Sequence, residues 1–430
     1  MNYGMSDVNV VSDLSRGLGK GFLSKSAASI TLALLISAPG HTTQLIPLDS
    51  FPKWFKDAAA RNVAVTKQSK IKIPELGIDG QVYGKASLNT TGDNFWYFTI
   101  DIGTDVPVEC YVFTAFDGPS NSLYGVVRES LKSVETVYKK PITNTMNYSI
   151  NVGVIDSAPY LSLDTFYNAG EGSEMVSGVL KAMSALSGDN LQICLHNELG
   201  YEASFEKVYT SFVSAFEQAQ AKDEFYSVIY KLSINGMPMG FGSEKMSKDQ
   251  DGDVYSAIAS SMLVPVDASN VSRADSMASE WSTPDGNLIN QNKYSVENGA
   301  LSMQFDVSWV NDAWNVEGQL QGKDVAFTLE HKESISSLYG SYLETAKLLK
   351  SDAESSEIYM WNELNPSAIQ TVVSTKLKDR DDANIQTNYG PLVIESLSNE
   401  YGVPQSGTIK QGPAVIKLEL MTTSGLPVLP

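Results

Sequence analysis

A chain of 430 residues is long enough for two or three domains of about 150 residues each. Its 42% hydrophobic content supports real cores and excludes a disordered chain. With 50 acids against 31 bases the formal charge is −19, and no basic stripe is visible, which excludes a phosphate backbone as partner.

Residues 1–66 form an N-terminal segment. Within it, 27–38 (AASITLALLISA) follows Arg16, Lys20 and Lys25 and resembles the apolar region of a signal peptide. It is too short to span a bilayer, and Asp7 and Asp13 ahead of it count against export. An exported chain and a cytoplasmic one, with 27–38 docked as a strand or helix, are therefore equal expectations. Phe51, Phe55 and Ala59 line one side of a short amphipathic helix over 51–61, with Trp54 and Ala58 beside them. A first module is expected over 67–222. Short strands and tight turns are predicted over 71–88, where Pro74, Gly77, Gly80 and Gly84 interrupt the alternation. The aromatic and β-branched run 95–116 predicts strands, and 123–137 a helix. Strands return over 148–163. Met175, Val176, Val179, Leu180, Met183 and Leu186 then form a stripe that predicts a second helix.

A second module is expected over 223–430. It opens on 225–234, alternating in period two, before Asn235-Gly236, a strong hairpin signal. A returning strand is predicted over 239–246 and another over 254–264. The Ser/Asn/Asp-rich stretch 267–299 reads as an insertion ending in a loop. Strands follow at 301–310, 314–320 and 325–329, and a helical stripe at Leu338, Tyr339, Tyr342, Leu343, Ala346 and Leu349. After a charged connector over 376–386, 391–397 and 414–420 are predicted as closing strands.

One tripeptide organises this reading. Asn197-Glu198-Leu199 and Asn362-Glu363-Leu364 each follow a short apolar run and precede a stripe at helical spacing: Phe205, Val208, Phe212 and Phe216, then Ile369, Val372, Val373 and Leu377. Asn365-Pro366 supplies the second stripe with a helix start. The upstream stripes and the opening aromatic runs (from Asn94 and from Glu224) match in pattern as well. The expected fold is α+β: two tandem modules produced by internal duplication, each an antiparallel sheet followed by helix-strand-helix.

The side chains that could do chemistry are few. His196 has Trp361 at the matching place of the second copy, which favours a half-buried packing role over catalysis. No nucleophile elbow occurs, and Ser69-Lys-Ile-Lys72 lacks the partners its pattern requires. Asp249-Gln-Asp251-Gly252-Asp253 has Ile258 where a calcium loop needs its last acid, so it reads as a solvated turn and no metal site is expected. Glu198 and Glu363 admit a paired-carboxylate reading, but both copies are better explained as structural turns, with Asn197 and Asn362 bonding backbone and Leu199 and Leu364 anchoring. Cys110 and Cys194 show no metal spacing and read most simply as buried thiols, with a disulfide left to geometry. Trp96, Tyr97, Phe98, Phe225, Tyr226, Tyr230 and Trp361 are the ligand or interface candidates, because outward aromatics on opening strands can form a groove or a contact surface.

No specific activity is legible. The expectation is a non-catalytic interaction or assembly protein without cofactor, acidic, with a protein partner or self-association and no integral membrane span. The first alternative is an exported, periplasmic carrier holding an apolar small molecule in a groove lined by aromatics. A hydrolase using Glu198, Glu363 or His196 is a disfavoured third.

Overall fold

The computed structural model describes residues 45–92, 94–114, 122–187, 190–216, 223–266, 269–298, 300–363, 365–390, 392–411 and 414–429. The signal-like apolar stretch 27–38 lies outside them. These residues form two compact units: 45–216 with 264–266 and 269–272, and 223–263 with 273–429.

The first unit starts with helix α1 (Lys53–Ala59) and the ribbon of β1 (Gln68–Ile73) and β2 (Ile78–Tyr83). A seven-stranded antiparallel sheet follows. Its strands are β3 (Lys85–Gly92), β4 (Phe95–Asp101), β5 (Val108–Phe113), β6 (Ile142–Ile155), β7 (Ala158–Ala169), β8 (Val176–Ser187) and β9 (Asn190–His196), in the order β3-β4-β5-β9-β8-β7-β6. Helix α2 (Leu123–Tyr138) leaves from an N-cap in which Ser122 accepts from the Gly125 amide. Helix α3 (Glu202–Ser214) follows β9.

Strand alternation decides the packing. Trp96, Phe98 and Ile100 of β4 and Val108, Cys110 and Val112 of β5 share one face. That face meets Phe205, Val208, Tyr209 and Phe212 of α3 and Ile71, Ile73 and Val82 of the ribbon in a single core. The ribbon can lie this close because Gly80 has no side chain: a Cβ there would stand 2.4 Å from that of Ala215. Cys110 is directly opposite Cys194 in the β5–β9 register, and the two form a disulfide. The thiol reading is thereby corrected, since sequence could not place two strands 84 residues apart side by side.

The second unit is one antiparallel sheet of 14 strands. In chain order they are β10 (Glu224–Ile234), β11 (Met237–Lys248), β12 (Val254–Pro265), β13 (Val271–Ser282), β14 (Leu288–Glu297), β15 (Ala300–Val310), β16 (Ala313–Leu320) and β17 (Lys323–Leu329). Helix α4 (Leu338–Lys350) intervenes. Then come β18 (Ser355–Trp361), β19 (Ile369–Lys376), β20 (Ile385–Tyr389), β21 (Leu392–Ser398), β22 (Pro404–Gln411) and β23 (Ala414–Gly425). Each pairs with its neighbours in sequence, except that β23 returns to pair with β10, leaving β17 and β18 at the edges.

The sheet curls almost into a barrel. Lys293 on β14 and Glu363 just after β18 are ten strand positions apart, which in a flat sheet is about 48 Å. They are nevertheless an ion pair, and Phe305 on β15 packs on Trp361 at 5.5 Å between rings. The two edges meet through side chains, Leu329, Val325 and Phe327 in one cluster with Trp361, Tyr359 and Ile369. Helix α4, about 20 Å long, lies across one mouth, touching the β13–β14 turn at Gly286, the β21–β22 turn at Gly402, and Glu280 and Glu244 inside. A Cβ on Gly340 would come within 2.3 Å of the Gly286 carbonyl oxygen, so bare α-carbons set this approach.

The expected α+β duplication is overturned. The described residues hold twenty-three strands against four α-helices, and the matched stretches differ in kind. From Val176 the Met175–Leu186 stripe is β8, paired between β7 and β9 and buried on both faces over 179–185, while its supposed equivalent is α4. A strand buried on both faces places apolar residues on both, so helical spacing can be read into it. The first Asn-Glu-Leu does lead into a helix, α3. The second leads into β19, where β-branched Val372, Val373 and Thr375 are paired on both sides and Ile369 and Thr371 with β18; Asn365-Pro366 is a turn closed by Ala368 N–H to Asn365 O. The stretch read as an insertion, 267–299, supplies the interior strands β13 and β14. Its Ser and Asn content misled because the space inside is filled by polar groups and α4 as well as by aliphatic side chains.

Candidate functional site

In the first unit a row of ionisable side chains crosses β9, β8 and β7. His196 stands opposite Lys181, and Lys181 opposite Asp164. Lys181 Nζ donates to the carbonyls of Glu198 and Gly200, the latter at 2.6 Å. Burial lowers its pKa, against the attraction of Glu202, Asp164 and Glu198. Burial, then Glu202, holds the Asp164 carboxyl well above the usual carboxylate range, with Lys181 opposing. His196 is wholly buried. Its Nε2 lies 3.2 Å from the Val106 carbonyl, 3.4 Å from Thr104 Oγ1 and 3.9 Å from Glu198 Oε2, while Nδ1 has no partner among the described residues. Burial, then Lys181, pushes the imidazole down to about 3. A proton relay uses both ring nitrogens, one for the nucleophile and one for the orienting acid. Here every polar neighbour gathers on the same nitrogen, and the Thr104 hydroxyl donates to the Val106 carbonyl at 2.7 Å.

The two Asn-Glu-Leu corners have different surroundings. At the first, Asn197 Oδ1 accepts from Tyr167 O–H at 2.8 Å, Glu198 Oε2 accepts from Val106 N–H at 3.3 Å, and Leu199 packs beside Phe51, Phe55 and Phe166. At the second, Asn362 and Glu363 are buried, Asn362 Nδ2 donates to Gln370 Oε1 at 3.3 Å, and Glu363 pairs with Lys293. Leu364 lies outside the described residues. Glu198 belongs to the first unit and Glu363 to the second, each held by its own neighbours.

The aromatic candidates divide by strand face. Trp96 and Phe98 are spent in the core under α3. Tyr97 faces the other way, stacked on Tyr111 at 4.9 Å, in a ladder that continues to Phe95 and Phe113. Tyr111 O–H donates to Glu109 at 3.0 Å, and burial raises that carboxyl against the two phenols. Phe225, half-buried, meets the Tyr339 ring at 6.3 Å. Trp361 is buried, its indole donating to the Pro366 carbonyl at 3.1 Å. Tyr226 and Tyr230 are buried in the second unit, beside Tyr342 and Glu244. There Tyr342 O–H donates to Glu244 at 2.5 Å and Tyr226 O–H to Tyr342 at 3.3 Å. Glu280 accepts from the Leu338 amide at 2.6 Å and from Gln291 Nε2 at 3.0 Å. Burial, before any other cause, pushes Glu244 and Glu280 each up to about 7.

Lys181, Asp164, Glu244, Glu280 and Lys293 were not singled out by sequence. The available signal was a charge at the inward position of an alternating strand, as at Glu280 between Ala278 and Ser282. A groove of 660 Å³ between β2 and α3 is lined by Asp79, Gln81, Tyr83, Lys207 and Thr210. Lys207 there is engaged with the Val65 carbonyl at 2.8 Å and lies over the Tyr83 ring. Among the described residues no three metal-ligating side chains converge, and no helix is long and apolar enough to cross a membrane.

No family model matches the sequence, and no curated protein matches it. Among solved structures the chain is similar to a β-barrel-like protein of the domain of unknown function DUF1849 from Brucella abortus, at 9% identity and a TM-score of 0.38, over 48% of this chain and 99% of that one. A likeness of that size carries neither fold nor function across.

Proposed function

We propose that this chain is a non-catalytic binding protein, recognised through the surface of its β units by a protein partner or by a second copy. The observation that carries the reading is where the buried ionisable groups are directed. Lys181 holds two loop carbonyls, Glu280 the first amide of α4, Glu244 a phenol, and Lys293 a carboxylate. Groups so engaged hold the fold together, whereas a reacting pair must face a substrate. A contact point is offered by the β15–β16 hairpin, whose Asn311-Asp312 turn (φ 54° and 60°) presents Trp309 and Val310 at 41% and 47% exposure. An exposed tryptophan beside a turn is a frequent energetic anchor of interfaces.

Sedimentation velocity at tens of micromolar, run on the native chain and on Trp309→Ser/Val310→Ser, tests this. The native chain is expected to sediment as an assembly and the variant as a single 46.7 kDa species. A native chain that runs alone, and with which nothing co-purifies, sinks the proposal.

The half-exposed aromatic ladder of Phe95 and Tyr97 over Glu109 favours a second reading, a carrier for a small apolar molecule. The disulfide supports an oxidising compartment for either reading. Native mass spectrometry of the freshly isolated protein separates the two: a bound small molecule lost in Tyr97→Ala favours the carrier.

A further inference from the structure

We propose that α4 is a cap on the curled sheet of the second unit that loosens as solution becomes alkaline, because the two glutamates that fasten it share one dehydrated enclosure. Both fastenings end on the helix. Glu280 takes the amide of Leu338, its first residue, next to the Ser337 cap that accepts from Gly340 N–H at 3.1 Å. Glu244 takes the hydroxyl of Tyr342 one turn later. Helix α4 also sets Leu338 on Ile258 and Ala278, Tyr339 against Phe225, Tyr342 against the Tyr226 ring and Lys350 over the Tyr401 ring, approaches Gly286 and Gly402, and touches β18 and β19.

The charges around the two carboxyls fix the direction. Glu244 faces Tyr342 from α4, Tyr226 and Tyr230 from β10, and Glu280 from β13. Glu280 faces Lys293 from β14, Glu363 from the turn after β18, Tyr389 from β20 and the Leu338 amide. Lys293 is the cation among these groups, and it is paired with Glu363. Ionising both glutamates therefore puts two further negative charges into the enclosure, where charge is expensive. In the closed state both are pushed up to about 7; in a loosened state they approach the ordinary value of 4.5. The closed state thus holds more protons and loses ground as pH rises. Behind the cap, Ser256 and Ser260 flank Ile258 on the same face of β12, and their buried hydroxyls have no partner among the described residues. Loosening α4 would give them water.

Hydrogen exchange of the full chain, corrected for intrinsic rates, tests the cap. Amides of 338–350 are expected to lose protection by roughly tenfold for each unit that a carboxyl is displaced, falling from about pH 5 and levelling above about pH 8. Because the opening is local, dilute guanidinium should barely change their exchange, whereas amides of β10–β13 should respond to it. Glu244→Gln/Glu280→Gln should abolish the pH dependence and keep α4 protected at pH 8. Should that variant not fold, Tyr342→Phe serves: removing the phenol that favours ionised Glu244 should move the levelling point to higher pH. The proposal is overturned if α4 amides follow those of β10–β13 at every pH with the same denaturant response. It is equally overturned if the glutamine variant keeps the native pH dependence, or if Tyr342→Phe leaves the levelling point in place.

Discussion

Several ionisable side chains are buried inside the two sheets, among them His196, Lys181 and Lys293. His196, pushed down to about 3, stays neutral in the folded state while the unfolded side chain takes up a proton near 6.5. Its contribution is therefore complete above about pH 6.5 and is lost as pH falls toward 3, by about 1.4 kcal/mol per unit. Relative to the native chain, His196→Gln should gain stability as pH is lowered from 6.5 to 4, measured by urea denaturation at each pH. An unchanged difference would show that the imidazole titrates freely in the fold. Lys293 offers a test of the opposite kind. Lys293→Met leaves Glu363 buried without its cation and should cost about 3–5 kcal/mol, most of which Lys293→Met/Glu363→Met should restore. Neither group was legible beforehand as a stabilising pair, because their ion pairing joins strands from opposite ends of the sheet.

Elements depend on close backbone approaches and on one covalent link. The Cys110–Cys194 disulfide ties β5 to β9, the single strand pair through which β3-β4-β5 joins β9-β8-β7-β6. Cys110→Ala/Cys194→Ala should lower stability by about 4.6 kcal/mol on loop entropy for a separation of 84 residues, read from thermal melts. A melting temperature within a degree or two of the native value would mean that core packing alone fixes the junction. Gly340→Ala should weaken the seating of α4 by about 1–3 kcal/mol, since the new methyl meets the Gly286 carbonyl oxygen as well as the Ser336 hydroxyl, and the backbone atom cannot turn aside. Exchange of the 338–350 amides at fixed pH would record it. Several elements could be read directly from pattern: α1, α2, α3, α4, the Asn235-Gly236 hairpin and the Asn311-Asp312 hairpin all carry local signals. β8 and β19 could not, because their partners on both sides, and not their own periodicity, decide that they are strands.

At the scale of the whole molecule, the two units should respond separately to changes made in their interiors. Lys293→Met is expected to reduce protection of amides in β10–β23 and to leave β4–β9 as they are; loss of protection in both would show that the units unfold as one. The amino-acid sequence by itself determined that the chain is acidic and core-forming, that it has only three histidines, and where the Asn235-Gly236 and Asn311-Asp312 turns fall, because composition and short-range pattern act over a few residues. Tertiary structure alone decided that Cys110 meets Cys194, that β13 and β14 lie inside a sheet, and that Lys293 reaches Glu363. Those facts depend on which strands lie side by side once the second sheet has curled, and a contact between distant strands leaves no mark in the local order of residues.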